Sequence, residues 1–128
     1  MTKKNRWVLL KHIECLNDLK DFHFDLLLED GYSCRSWRLT EMPELDGPKL
    51  QIFSIKRHNL SWLETFGRNV SGNRGYAFPV KKGFFFGELS KAESRSFQIN
   101  FVGDLTGILE ISMNYCCLRS IPKFVRER

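Results

Sequence analysis

Apolar and polar residues alternate along this chain in short bursts, a period of two that predicts β-strands rather than helices. Over residues 6–14, Trp7, Leu9, Lys11 and Ile13 fall on one face and Val8, Leu10 and His12 on the other. The run FHFDLLLED, residues 22–30, sets Phe22, Phe24, Leu26 and Leu28 against His23, Asp25, Leu27 and Glu29. Asn17, Asp18 and Asp21 interrupt the two runs, and Asp30-Gly31 turns the chain. Further β-segments are predicted over 33–39, 50–57, 76–80, 83–88, 95–102 and 107–113. A loop around Pro43, Asp46, Gly47 and Pro48, a turn at Ser71-Gly72-Asn73-Arg74-Gly75 and a hairpin turn at 104–107 separate them. Only 59–64 reads as a short helix: Asn59 or Ser61 can cap it, Ser61 with Glu64 fits a capping box, and Gly67 can end it. Seven or eight short strands with one short helix predict a mainly β fold, a compact closed or partly open β-barrel.

The chain has 128 residues, enough for one domain with its own core and too few to require two. That core is expected over about 6–113, with a basic tail over 119–128 that Pro122 keeps extended. Twenty Lys and Arg against 15 Asp and Glu give a formal charge of +5, which favours polyanionic partners. The apolar stretch 7–10 is too short for a signal-peptide core or a membrane span, so the expectation is a cytoplasmic protein with no membrane contact. Cys15, Cys34, Cys116 and Cys117 lack the spacing of a zinc ribbon and read as reduced structural residues. A monomer is expected.

The candidate chemistry lies with three histidines. His12 ends the first strand, His23 shares a strand face with Asp25, and His58 stands where a strand meets the short helix. Two imidazoles and a carboxylate, with positions open to water or substrate, can hold a divalent ion for phosphoryl or carbonyl chemistry. The plainer reading of His-x-Asp is a hydrogen-bonded pair. Lys11, Arg35, Arg38, Lys49, Lys56, Arg57 and Arg74 can hold phosphate oxygens or simply form a solvated face. The 71–75 turn is either a plain turn or an anion-binding nest. Trp62 and Phe84-Phe85-Phe86 can stack on bases or pack in the core.

Taken together, these residues resemble the 3′-phosphoesterase domain of bacterial end-joining DNA ligase D and its small stand-alone relatives. The resemblance runs through Lys11-His12, His23-Phe24-Asp25 with Leu28-Glu29, Ser36-Trp37, His58 with Trp62, and Gly67, in the family's order across about 6–113. It implies a β-barrel with a polar pocket on one side. His12, His23 and Asp25 would ligate a divalent ion, most simply Mn2+, and His58 would contact the scissile phosphate as a proton donor. These four are the expected catalytic residues, with Arg38, Lys49, Arg57, Trp62 and Arg74 as the expected substrate contacts. The implied activity is that of a DNA-repair hydrolase that trims a terminal ribonucleoside and then the 3′-phosphate from nucleic-acid ends. A repair ligase is the implied protein partner.

The phosphate-binding positions depart from the family. Leu27, Glu41 and Leu50 stand where its members carry basic residues, Lys56-Arg57 replaces an acidic pair, Trp62 replaces a tyrosine, and Phe66 a glutamate. The interval between His12 and His23 is longer than in the ligase-borne domains. Short stand-alone relatives share the leucine after the aspartate and the Ser-Gly-x-Arg-Gly turn. The metal set is retained and the phosphate set altered, so the alternative expectation is a non-catalytic module that binds phosphorylated nucleic-acid ends.

Overall fold

The computed structural model describes residues 4–15, 17–92 and 95–122. They form β1 (Lys4–Cys15), β2 (Asp18–Asp30), β3 (Ser33–Leu39), β4 (Leu50–Asn59), a 3₁₀ turn (Leu60–Leu63), β5 (Arg68–Asn69), β6 (Tyr76–Phe86), β7 (Phe97–Gly103), β8 (Gly107–Ile111) and β9 (Tyr115–Arg119). The strands make one antiparallel sheet of order β1-β2-β3-β4-β9-β8-β7-β6-β5. Because β1 also pairs with β6, from Lys4↔Phe86 to Ile13↔Tyr76, the sheet closes into a ring of eight strands with β5 flanking β6. The mainly β class expected from the alternation is therefore observed, with nine strands, eight of them in the ring. No helix among the described residues is long and apolar enough to cross a membrane. All four cysteines are free.

The two faces predicted for β1 and β2 are both buried, for different reasons. Trp7, Leu9, Leu26 and Leu28 point into the ring, where Trp37, Leu39, Ile52, Phe85, Phe101 and Leu109 meet them. Trp7 stacks on Phe101 with ring centroids 4.3 Å apart and planes 4° from parallel. On the outer face Val8, Leu10, Leu27 and Cys34 form a smaller layer beneath Leu60, Trp62 and Leu63 of the 3₁₀ turn. That cover explains why the outward positions of β1 and β2 carry hydrocarbon as well as imidazole and carboxylate. Arg35 points the other way, with its guanidinium against the rings of Trp37 and Phe97 and Nη1 donating to the Ser90 carbonyl.

Several local expectations are corrected. The segments 76–80 and 83–88 are one strand, β6. The register against β1 slips between Leu9↔Lys81 and Leu10↔Pro79, a bulge that accommodates a proline with no N–H to donate. Gly83 is likewise no terminator: it faces Gly103 of β7, and a Cβ there would lie 2.0 Å from the Val102 carbonyl oxygen. The residues 115–119, left in or next to a tail, are β9, since Cys116 and Leu118 bury inward as small hydrophobes and close the ring against β8 and β4. Arg119 thus ends a strand, and the rest of the expected tail from 123 onward lies outside the described residues. The expected helix is a single 3₁₀ turn. Asn59 makes no side-chain cap; Ser61 lies inside the turn and accepts from Arg68 Nη2, and Glu64 reaches toward Arg6 instead of closing a capping box. Gly67, with φ 141°, makes room for the Tyr76 hydroxyl.

Candidate metal centre

The register of β1 against β2 places His12 directly opposite His23, and Asp25 follows two positions on with its side chain on the same outer face. Their ligand atoms converge. His12 Nδ1 lies 3.1 Å from His23 Nε2 and 3.9 Å from Asp25 Oδ2, and His23 Nε2 lies 3.3 Å from Asp25 Oδ1. The three side chains are almost wholly buried, Asp25 at 3% exposure.

The proton inventory of the donor set bears on whether it can hold a cation. His12 Nε2 sits 2.5 Å from the Arg74 carbonyl oxygen, which can only accept, so Nε2 carries the proton and Nδ1 turns a lone pair toward His23 and Asp25. His23 turns Nε2 inward, where in the metal-free protein its Nε2–H donates to the His12 Nδ1 lone pair at 3.1 Å, while Nδ1 lies 3.6 Å from the Glu14 carboxylate. Asp25 Oδ1 is solvent-inaccessible and makes no hydrogen bond among the described residues. A cation taking the place of the His23 Nε2 proton would meet two imidazole nitrogens and a carboxylate oxygen around one point. Ligands about 2.1 Å from one ion at 90–110° are about 3.0–3.4 Å apart, close to two of the three separations here. Two imidazoles and a carboxylate fit a first-row divalent ion.

Around this centre lies a cleft of about 290 Å³, reached by His12, Asp25, Arg38, Lys56, Arg57, His58, Trp62 and Arg74. Arg38 is the cross-strand neighbour of Asp25, with Nε 3.5 Å from Oδ1. Burial raises the Asp25 carboxyl, but His23 and Arg38 outweigh it and the net shift is downward, so the group stays ionised. His58 arrives from β4 through a bulge. Cys34 pairs with His58 and Ser36 with Ile55, so Lys56 and Arg57 together oppose Arg35. Its Nδ1 lies 2.8 Å from Ser36 Oγ and 3.1 Å from the Lys56 carbonyl oxygen. Since the Ser36 hydroxyl donates to the Cys34 carbonyl, the His58 Nδ1–H is the donor in these contacts and Nε2 holds the lone pair. Burial pushes the His58 pKa below its ordinary value despite the opposing charge of Asp25.

The expected substrate contacts divide. Arg38 and Trp62 line the cleft; Arg68 lies over the Trp62 ring at 3.7 Å, and the His58 ring meets its edge. Arg57 and Arg74 border it with their guanidiniums engaged elsewhere, Arg57 on Asp30 and Ser33, Arg74 on the Ser71 carbonyl and hydroxyl. Lys49 is not part of the site. It lines a separate groove with Phe97, Glu110 and Tyr115, because it precedes the far end of β4, roughly 25–30 Å of strand from His58. Lys11 also faces away, over the Phe22 ring. Phe85 is core, as its plainer reading had it. Four groups beside the histidines had no role assigned from sequence: Glu14, the Ser36 hydroxyl and the Lys56 and Arg74 carbonyls. Glu14 was within reach of the alternation, being two residues beyond His12 on one strand face. No protein-family model and no curated protein matches the chain.

Proposed function

We propose that this chain is a divalent-metal-dependent phosphoesterase acting on nucleic-acid 3′ ends or a related phosphate ester, akin to the 3′-phosphoesterase domain of DNA ligase D. The observation that carries the reading is the convergence of His12 Nδ1, His23 Nε2 and Asp25 on one buried point beside a basic cleft. His12, His23 and Asp25 would hold a divalent ion there, Mn2+ by the resemblance, which would supply Lewis-acid polarisation of a phosphoryl oxygen and lower the pKa of water. Arg38 and Lys56 offer charge to the phosphoryl oxygens, and Trp62 walls the cleft. His58 contacts the phosphate. Its resting form is neutral, and the negative charge of an arriving phosphate favours the imidazolium that can protonate a leaving oxygen.

Two of the altered phosphate positions have structural reasons. Leu27 is fully buried beneath Leu63, and Leu50 is part of the ring interior, so neither position can present an arginine without unmaking a core layer. With Arg57 and Arg74 tied within the chain, a second reading keeps support: a module that holds a phosphorylated end without cleaving it. The deciding experiment is Mn2+-dependent release of phosphate or nucleoside from primer-templates ending in a 3′-phosphate or a 3′-ribonucleotide. Turnover lost in both His12→Ala and His58→Ala is the result expected. Metal binding by the wild type with no turnover on any of these ends would favour the binding module. A monomer that works beside a repair ligase in the cytoplasm is part of the same proposal.

A further inference from the structure

Arg74 reads from sequence as a phosphate contact, yet its guanidinium does something else. Nε donates to the Ser71 carbonyl at 2.7 Å and Nη2 to the Ser71 hydroxyl at 3.1 Å, so the side chain staples its own turn. The backbone tightens the same loop, Val70 N–H donating to the Gly75 carbonyl at 2.8 Å and Arg74 N–H to the Val70 carbonyl at 3.4 Å. Gly75, at φ 88°, then brings the turn hard against β1: a Cβ there would lie 1.9 Å from the Ile13 carbonyl oxygen and 2.8 Å from that of Glu14. The result of stapling and close approach is the 2.5 Å contact from the Arg74 carbonyl to His12 Nε2.

We infer that the Ser71–Gly75 turn is a positioning element for the metal centre, and that Arg74 is a positioning residue acting on His12 rather than a contact to substrate. A backbone carbonyl has no proton to give, so His12 is held as the Nε2–H tautomer with its Nδ1 lone pair aimed at His23 and Asp25. Removing such an outer contact typically weakens metal binding by about 10–100-fold. The inference rests on the metal reading above, and one of its two measurements is independent of metal.

The first measurement is the long-range ¹H–¹⁵N correlation spectrum of the metal-free protein at about pH 8, where free imidazoles are neutral. With three histidines in the chain the rings can be told apart. His12 as Nε2–H in the wild type, and as a mixture of tautomers in Gly75→Ala, is expected; a wild-type His12 protonated on Nδ1 overturns the inference. The second is Mn2+ titration calorimetry of wild type, Arg74→Ala, Arg74→Lys and Gly75→Ala. Arg74→Ala should bind about 10–100-fold more weakly, with Arg74→Lys recovering part of the loss. Arg74 is exposed, so its variants keep the test open if Gly75→Ala fails to fold. Arg74→Ala that binds Mn2+ as tightly as wild type, with a raised KM alone, would mark a substrate clamp and overturn the inference. A wild type that binds no Mn2+ sinks the metal reading, and the His12 tautomer still decides the role of the turn.

Discussion

Asp25 shows how much one side chain can be asked to hold. Its carboxylate is buried and ionised, within 4 Å of two imidazoles and a guanidinium, yet Oδ1 has no well-aligned hydrogen-bond donor among the described residues. Asp25→Asn keeps the volume and removes the charge; Mn2+ affinity should fall by at least about 100-fold, and the urea midpoint of the metal-free protein should also fall at neutral pH, because the fold favours the ionised carboxylate. Calorimetry and urea titration on the same preparation check both halves. His58 carries the pH dependence. Its folded pKa lies below the ordinary 6.5, so the unfolded chain takes up a proton more readily. The stability contributed by the neutral buried ring is therefore complete above that value and lost as pH falls through the folded pKa. Asp25 adds a second loss at lower pH, below its ordinary 3.8, because its folded pKa is depressed. Metal-free protein should lose stability as pH falls below about 6.5, and His58→Gln should flatten that slope in urea titrations; an unchanged slope would remove His58 as its source.

At the level of elements, the alternation in 6–14 and 22–30 was a sound guide because β1 and β2 pair without a slip from Trp7↔Leu28 to Ile13↔Phe22. His23 and Asp25 were legible as one face for that reason, and the β1–β2 register brings His12 to them. His58 was not assignable to a face in the same way. Counting by twos from Leu50 and Ile52, both interior, points His58 into the ring. The bulge at Lys56-Arg57 reverses the parity and turns His58 out to the cleft. Glycines that look like breaks are close crossings in the ring. At the Gly83↔Gly103 pair β6 and β7 approach too closely for a Cβ, and Trp7 Nε1 donates to the neighbouring Val102 carbonyl. Gly83→Ala should cost about 1–3 kcal/mol by overpacking, read from denaturant unfolding, with the near-ultraviolet signal of Trp7 altered.

Across the whole molecule the ring is unevenly closed. β1 and β6 pair over ten positions, whereas β4 and β9 meet at only two, Leu50↔Cys116 and Gln51↔Tyr115. Opening should begin at that seam, since few ladder bonds there resist it. Native-state hydrogen exchange should find the amides of the β4–β9 seam exchanging well before those of β1 paired to β6. Uniform protection around the ring would contradict this. The site lies on the outer face of the strongly paired β1–β2–β3 sector, so opening of the seam leaves the metal ligands in register.

The sequence by itself determined the β class, the faces of the first two strands and the pairing of His23 with Asp25 on one of them. Each depends on local alternation or on i and i+2 neighbours, which a chain carries wherever it folds. Tertiary structure alone decided which face became the interior, that β9 completes the ring, that His58 turns outward and that Lys49 lies elsewhere. It also assigned Arg74 to its own turn and brought its carbonyl to His12 across 62 positions of chain. Those outcomes depend on register slips, close glycine contacts and long-range pairing, whose energies reside in which strands meet rather than in any one stretch of residues.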